Sequence, residues 1–125
     1  MKFLLVENRP ENLDLIQRAL REGMNGAPFA VDHEISFSEA LQKMKRGRYD
    51  VCLIDDRPGE DESLDFLRAL RAQGHVCPVI FFSRQSDQAR TVQAMKAGAT
   101  DYLAPGALTP EALARAVRDS LYTSK

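Results

Sequence analysis

Polar side chains that could take part in chemistry follow three of the most apolar segments of this chain. Glu7 ends the first such segment, Asp55 and Asp56 end the third, and Ser83 ends the fourth. Clustered carboxylates repel one another unless a cation shares their site, and Mg²⁺ typically takes one or two carboxylates, a carbonyl oxygen and several waters. A carboxylate beside such a cation can also attack phosphorus and form an aspartyl phosphate. The hydroxyl of Ser83 could then donate to a phosphoryl oxygen.

Strand-like and helix-like hydrophobic patterns alternate along the chain and would position these side chains. Continuous apolar runs at residues 3–6, 51–54 and 79–82 are typical of strands covered on both faces. Residues 29–35 alternate in polarity as a second strand, and residues 101–103 form a short fifth one. A helical pattern follows each predicted strand.

Small polar residues and glycines predict the helix ends. The first helical pattern runs to Gly23, and in the fourth helix Ala89, Val92 and Met95 share one face. Four residues have the type and position of helix N-caps: Ser36, Ser63, Ser86 and Thr109.

Five strand–helix pairs with short loops predict a single α/β domain over residues 1–125. Right-handed crossovers would place helices on both faces of a parallel sheet, and ligands of such sheets bind beyond the carboxyl ends of the strands. We therefore expect Glu7, Asp55 and Asp56 to converge at one rim.

Composition excludes several classes of function. Seventeen basic and eighteen acidic residues give a net charge of −1, which does not favour binding to nucleic acid or to an anionic membrane surface. The apolar run before Glu7 is only four residues long, too short for a signal peptide or a membrane span, so we expect a cytoplasmic location. We expect Cys52 and Cys77 to be buried, reduced thiols.

Four segments, in this order and spacing, resemble the receiver domain of two-component response regulators. They are LLVENRP at 4–10, YDVCLID at 49–55, PVIFFS at 78–83 and AGATDYL at 97–103. The resemblance implies a flavodoxin-like, doubly wound (βα)5 fold with strand order 2-1-3-4-5. It also implies a histidine kinase or phosphotransfer protein as partner, and a C-terminal output domain or a partner protein that receives the signal.

The resemblance assigns roles to individual residues. Asp55 occupies the position of the phosphoacceptor, Ser83 that of the hydroxyl residue that contacts the phosphoryl group, and Tyr102 that of the switch aromatic. Glu7 corresponds to the first member of the family's acidic pair, and the backbone carbonyl of Arg57 to a metal ligand.

Two positions depart from the family's pattern. Asn8 stands where a second acid normally ligates Mg²⁺, and Pro105 stands where a lysine normally contacts the phosphoryl group. An amide oxygen is a weaker ligand for a hard divalent cation than a carboxylate, and proline has no ammonium group. The Mg²⁺ site formed by Glu7, Asn8, Asp55 and the Arg57 carbonyl is therefore expected to be weakened or lost. Either Arg57 or Arg9 could supply positive charge there instead, although Arg9 could also point to solvent.

Two functional hypotheses follow. In the first, the domain is regulatory rather than a classical enzyme: it accepts a phosphoryl group on Asp55 and signals through the face formed by helix four, strand five and helix five. In the second, it is a pseudo-receiver that binds partners without phosphorylation. A flavin carrier, which shares the topology, is opposed by residues 7–12, because they contain no glycine and begin with an acid.

Overall fold

The computed structural model describes residues 1–7, 9–57, 60–83, 88–104, 106–107 and 109–123. Within them, strands and helices alternate: β1 (Lys2–Val6), α1 (Pro10–Met24), β2 (Ala30–Glu34), α2 (Phe37–Arg46), β3 (Val51–Asp55), α3 (Glu62–Ala72), β4 (Val79–Phe82), α4 (Gln88–Ala97), β5 (Asp101–Leu103) and α5 (Pro110–Thr123). Neighbouring strands are parallel and ordered β2-β1-β3-β4-β5. The predicted doubly wound α/β fold is confirmed.

The sheet separates two apolar clusters. On one face Leu53 of β3 belongs to a cluster with Ile16 of α1 and Val117 of α5. On the other face Ile54 packs in a cluster with Leu67 of α3. Because successive residues of a strand point to opposite faces, β3 contributes to both clusters. The same alternation decides which face each residue after β3 will occupy.

Two of the four predicted helix caps are confirmed. The Ser36 hydroxyl accepts a hydrogen bond from the Glu39 N–H at 3.1 Å, and the Thr109 hydroxyl accepts one from the Ala112 N–H at 3.1 Å. The prediction for Ser63 is wrong, since α3 already begins at Glu62 and the Ser63 hydroxyl donates to another side chain. Ser86 lies outside the described residues.

Helix α1 extends beyond the predicted stop at Gly23. It ends at Met24, and Asn25 follows in the left-handed conformation with φ of 51°. Gly23 lies inside the helix, where a Cβ atom would approach Cα and Cβ of Ala114 to 3.2 Å. The glycine therefore permits the close contact between α1 and α5.

The face of α4 that carries Ala89, Val92 and Met95 is exposed to solvent. Arg90 and Ala94 point inward instead and are 7% and 0% exposed. A buried guanidinium is costly unless it is paired, so Arg90 must have acidic or carbonyl partners inside the protein.

No helix in the part of the chain that the structure describes is long and apolar enough to cross a bilayer. Both cysteines are free thiols, Cys52 fully buried and Cys77 partly so.

Candidate functional site

Glu7 and Asp55 lie side by side at the carboxyl ends of β1 and β3. These strands pair in parallel with Val6 opposite Ile54, so the next residue of each strand reaches the same edge of the sheet. Strand order reverses at β1, and ligands of doubly wound sheets bind at such a point. Glu7 is fully buried and Asp55 is 5% exposed. The structure thus brings these two predicted residues together.

The two carboxyl groups are electrostatically coupled. Burial, the negative charge of Glu7 and a hydrogen bond between the two side chains raise the pKa of Asp55 to about 7. The guanidinium groups of Arg57 and Arg9 act in the opposite direction on the same pKa. Near neutral pH, Asp55 therefore exists in both its protonated and its ionised form. Such a titration in a buried crevice is typical of functional sites.

Arg57 reaches back toward Asp55. Its Nε atom lies 3.9 Å from Oδ2 of Asp55, and Nη1 lies 3.8 Å from a carboxylate oxygen of Glu60. The first separation is too long for a hydrogen bond, and within the described part of the chain neither Asp55 Oδ2 nor Arg57 Nε has a hydrogen-bond partner, although both atoms are buried. Buried polar atoms of this kind call for a ligand or a water.

Glu7 is held in position by the backbone around it. One of its carboxylate oxygens accepts a hydrogen bond from the Arg9 N–H at 2.7 Å, and its own N–H donates to the Glu34 carbonyl at 3.0 Å. The imidazole Nε2 of His33 forms a hydrogen bond with the Glu7 carbonyl. The carboxylate is therefore fixed at the end of β1 rather than free to turn outward.

Ser83 lies one residue beyond Phe82, which pairs with Asp55 across β3 and β4. It is 1% exposed, and its N–H donates to the Leu103 carbonyl at 3.1 Å. Ser83 therefore lies at the same edge of the sheet as Asp55, and the contact of its hydroxyl with a phosphoryl group stays a prediction.

Asp56 does not join this acidic site, and the expectation that it would converge with Glu7 and Asp55 is wrong. Its N–H continues the strand pairing by donating to the Phe82 carbonyl at 2.8 Å, so its side chain points away from that of Asp55. The two acids are adjacent in the sequence, but alternation along the strand sends their side chains in opposite directions.

The carboxylate of Asp56 is bound by three other side chains. Arg90 donates from Nε to Oδ2 at 2.9 Å and from Nη2 to Oδ1 at 2.8 Å. The hydroxyl of Ser63 donates to Oδ1 and that of Tyr102 to Oδ2, each at 2.6 Å. Burial alone would raise the pKa of Asp56, but these hydrogen bonds outweigh it and lower the pKa below its ordinary value.

Arg90 was not among the residues predicted from the sequence. The one available signal was its helical position, since Arg90 lies four residues before the small residue Ala94 and both fall on the inward face of α4.

The switch-aromatic position, Tyr102, is 8% exposed and packs against Phe81 with ring centroids 5.8 Å apart.

The oxygen ligands expected for Mg²⁺ are present in part. Glu7 and Asp55 supply carboxylates, and the Arg57 carbonyl, which accepts one hydrogen bond from the Glu60 N–H at 3.1 Å, retains a second lone pair. Asp55 Oδ2, which lacks a hydrogen-bond partner among the described residues, fits such a role. No group of three or more His, Cys, Asp or Glu side chains suited to a metal occurs among the residues described. Asn8 and Pro105 lie outside them.

Comparison with known proteins gives a consistent result. A family model described as the response regulator receiver domain matches residues 3–118. The alginate biosynthesis transcriptional regulatory protein AlgB of Pseudomonas aeruginosa is 32% identical over 102 residues, which are 82% of this chain and 22% of AlgB. The transcriptional regulatory protein DltR of Streptococcus agalactiae is 28% identical over 115 residues, which are 92% of this chain and 50% of DltR. The chain thus spans half or less of the length of these relatives.

A solved structure of similar size is the receiver domain of the Francisella response regulator 1452. It superposes with a TM-score of 0.81 at 26% sequence identity, covering 99% of this chain and 98% of that one. Receiver domains of response regulators are regulatory modules of two-component signalling. The fold, the matched family model and these relatives together show that the chain belongs to the response regulator receiver domain family.

Proposed function

We propose that Asp55 accepts a phosphoryl group from a histidine kinase or a phosphotransfer protein. The observation that carries this proposal is the position and the hydrogen bonding of the Asp55 carboxylate. Asp55 ends the central strand at the crevice and keeps the buried Oδ2 atom without a hydrogen-bond partner among the described residues. An oxygen in that state is available as a nucleophile.

The transfer requires the ionised form of Asp55. One carboxylate oxygen attacks the phosphorus of a phosphohistidine on the partner, the phosphorus–nitrogen bond breaks, and the released imidazole nitrogen is protonated. Arg57 favours the ionised form because its positive charge lowers the pKa of Asp55. Glu7 opposes ionisation, so a cation that neutralises Glu7 would make Asp55 a better acceptor.

Mg²⁺ would be held by Glu7, Asp55 and the Arg57 carbonyl, and it would supply positive charge to the phosphoryl oxygens. Arg57 Nε, which has no hydrogen-bond partner among the described residues, could donate to the same oxygens, and this would replace part of the charge that Pro105 cannot provide. Ser83 would donate its hydroxyl to a third oxygen. These roles are the ones that the resemblance assigns, with Arg57 added.

The signal would leave through α4, β5 and α5. The relatives AlgB and DltR are named transcriptional regulatory proteins and are longer than this chain. We therefore propose an attached output domain or a separate partner protein as the receiver of the signal. This assignment rests on the relatives' names and on the position of Tyr102 in β5.

The test is incubation of the purified protein with Mg²⁺ and a small phosphodonor, followed by intact mass measurement. We expect an adduct of one phosphoryl group that is absent from Asp55→Asn. Asp65→Asn is a matched control, because Asp65 is an exposed acid in a surface ion pair with Arg68 at 3.5 Å. Loss of the adduct in both variants, or its persistence in Asp55→Asn, would contradict the assignment to Asp55.

A second candidate function is a pseudo-receiver that binds partners without phosphorylation. Asn8 and Pro105 favour it, and so does Arg90, because a buried ion pair already occupies the surroundings of Tyr102. Absence of any adduct, together with no Mg²⁺ binding at millimolar concentration, would support this candidate over the first.

A further inference from the structure

We propose that the ion pair between Asp56 and Arg90 is a built-in latch that holds Tyr102 in its buried position whether or not Asp55 is modified. Asp56 and Arg90 are thus positioning residues for Tyr102. The inference rests on the proposed function in one respect, that the partner binds the face formed by α4, β5 and α5, which contains Tyr102. With the latch in place, a signal from Asp55 would reach this face without a movement of Tyr102. The latch itself is a property of the unmodified protein.

The contacts around Asp56 leave its carboxylate fully occupied. An ionised carboxylate offers about four lone-pair sites, and Asp56 accepts two hydrogen bonds from Arg90, one from Ser63 and one from Tyr102. The Asp56 side chain is 0% exposed and that of Arg90 is 8% exposed, so water competes little for these bonds. The Tyr102 hydroxyl is consequently held by a charged acceptor in a dry site, where such a bond is strong.

The same arginine connects α4 to the loop after Asp55. Arg90 Nη2 donates to the Glu60 carbonyl at 2.7 Å and to the Ser63 hydroxyl at 3.1 Å, and Nη1 lies 3.4 Å from a carboxylate oxygen of Asp61. A movement of Tyr102 away from Asp56 would therefore disturb contacts on α4, β5 and the segment between β3 and α3.

The latch is separate from the chemistry at Asp55. The charges that shift the pKa of Asp55 belong to Glu7, Arg57 and Arg9, whereas the groups that bind Asp56 belong to Arg90, Ser63 and Tyr102. The two sets share no member, and the adjacent carboxylates point to opposite faces of the sheet. A change of charge at Asp55 therefore leaves the hydrogen bond from Tyr102 to Asp56 in place.

The chain offers a direct optical test because it contains three tyrosines and no tryptophan. Replacing Tyr49 and Tyr122 by phenylalanine leaves Tyr102 as the only tyrosine in the sequence, so that tyrosine emission reports on this residue alone. A phenol that is buried and hydrogen-bonded to a carboxylate emits weakly and is protected from acrylamide. We expect this behaviour in the single-tyrosine protein.

Asp56→Asn combined with Arg90→Met removes both charges and so leaves no unpaired ion. In the single-tyrosine background this pair of changes should raise Tyr102 emission and increase the acrylamide quenching constant several-fold. The matched control is Asp65→Asn with Arg68→Met, which removes a surface ion pair with the same change of charge and should leave both readings unaltered. Circular dichroism reports whether each variant is folded.

Arg90→Lys provides a second variant if the double change prevents folding. It retains the positive charge but cannot donate the two parallel hydrogen bonds, so Tyr102 should show intermediate quenching. Unchanged quenching in the folded Asp56→Asn, Arg90→Met variant or in Arg90→Lys would overturn the proposal. So would a parent protein whose Tyr102 is quenched as readily as in the urea-unfolded chain.

Two further measurements separate this inference from the proposed function. Asp55→Asn should leave Tyr102 quenching unaltered, and so should a beryllofluoride adduct on Asp55 if one forms. Release of Tyr102 by either would overturn the latch. Failure to form any adduct would count against phosphorylation at Asp55 alone, since the latch is measured in the unmodified protein.

Discussion

Asp55 and Asp56 are consecutive buried residues whose pKa values are shifted in opposite directions by their neighbours. Both are almost inaccessible to solvent, at 5% and 2% exposure. Burial and the adjacent acid Glu7 raise the pKa of Asp55 to about 7, whereas hydrogen bonds from Arg90 and two hydroxyl groups outweigh burial at Asp56 and lower its pKa. At neutral pH the first can gain or lose a proton while the second stays ionised. Only the first is suited to a reaction that depends on its charge.

Glu7→Gln should lower the pKa of Asp55. The negative charge of Glu7 and its hydrogen bond raise that pKa, while the charges of Arg57 and Arg9, which lower it, would remain. We expect a fall of about one unit or more, which corresponds to at least about 1.4 kcal/mol between the two protonation states. Carboxyl ¹³C NMR of Asp55 across pH 4 to 9 measures it. Glu111→Gln on α5 is the control. If the pKa of Asp55 were the same in Glu7→Gln as in the parent protein, the coupling between the two carboxyl groups would be contradicted.

Asp55→Asn should stabilise the protein at alkaline pH. The pKa of Asp55 is 3.8 when unperturbed and about 7 in the folded state, so the folded state binds the proton more tightly. The free energy of unfolding of the parent should therefore fall as pH rises from about 4 to about 7. Asparagine does not titrate, so the variant should gain roughly 1–2 kcal/mol over the parent at pH 8, after allowance for solvent screening, and little at pH 4.

Urea unfolding of both proteins at pH 4, 6 and 8 checks this dependence. A gain that is the same at all three pH values would show that Asp55 does not titrate in this range.

Replacing Asn8 and Pro105 by the residues usual in the family tests the effect of these two positions on Mg²⁺ affinity. Asn8→Asp together with Pro105→Lys should increase Mg²⁺ affinity, because a carboxylate replaces an amide as ligand. Asn8→Asp alone should account for most of the increase, since lysine contributes positive charge rather than a metal ligand. Calorimetric titration with Mg²⁺ measures both variants against the parent. Equal affinity in all three proteins would mean that Asn8 is not near the metal.

Helix α4 is attached to the rest of the molecule by a buried charged residue and by small apolar residues. Its Val92 and Met95 side chains are each 44% exposed, and its buried contacts come from Arg90 and Ala94. A helix held in this way depends on its ion partner. Since the pKa of Asp56 lies below 3.8, the stabilisation that this pair contributes is present above that pH and is lost on acidification below it.

Arg90→Met alone should destabilise the protein more than Arg90→Met combined with Asp56→Asn. Removing one partner of a buried ion pair leaves an uncompensated charge and typically costs about 3–5 kcal/mol, whereas replacing both can be nearly neutral. Urea unfolding of the two single variants and the double variant gives the coupling energy. A double variant that loses the sum of the single losses would show that Asp56 and Arg90 do not stabilise one another.

The two apolar clusters share the same strands, and the molecule should unfold as one unit. Leu20 of α1 and Leu67 of α3 are both fully buried on opposite faces of the sheet. Leu20→Ala and Leu67→Ala should each cost about 2–5 kcal/mol and shift a single urea transition with its slope unchanged. Two separate transitions in either variant, seen by circular dichroism or tyrosine fluorescence, would mean that the faces unfold independently.

Local patterns in the sequence were enough to predict the strands and the position of Asp55. The strand order was predicted from the resemblance to receiver domains. Continuous apolar runs such as 51–54 occur where both faces of a strand are covered, because each residue of such a strand is buried and is therefore apolar. Ser36 and Thr109 were predicted as caps for the same reason, because their hydrogen bonds reach only three residues along the chain. The phosphoacceptor and metal-binding roles of Asp55 stay predictions, which the experiments above test.

The partners of Asp56 were decided by tertiary structure alone. Arg90, Ser63 and Tyr102 are 34, 7 and 46 residues away in the chain, and only the packing of α3, α4 and β5 around β3 brings them to one carboxylate. Likewise, Gly23 had the appearance of a helix stop until α5 was seen to pack against it. A sequence pattern records which residues prefer burial or a turn, but long-range pairing depends on which elements become neighbours in the folded chain.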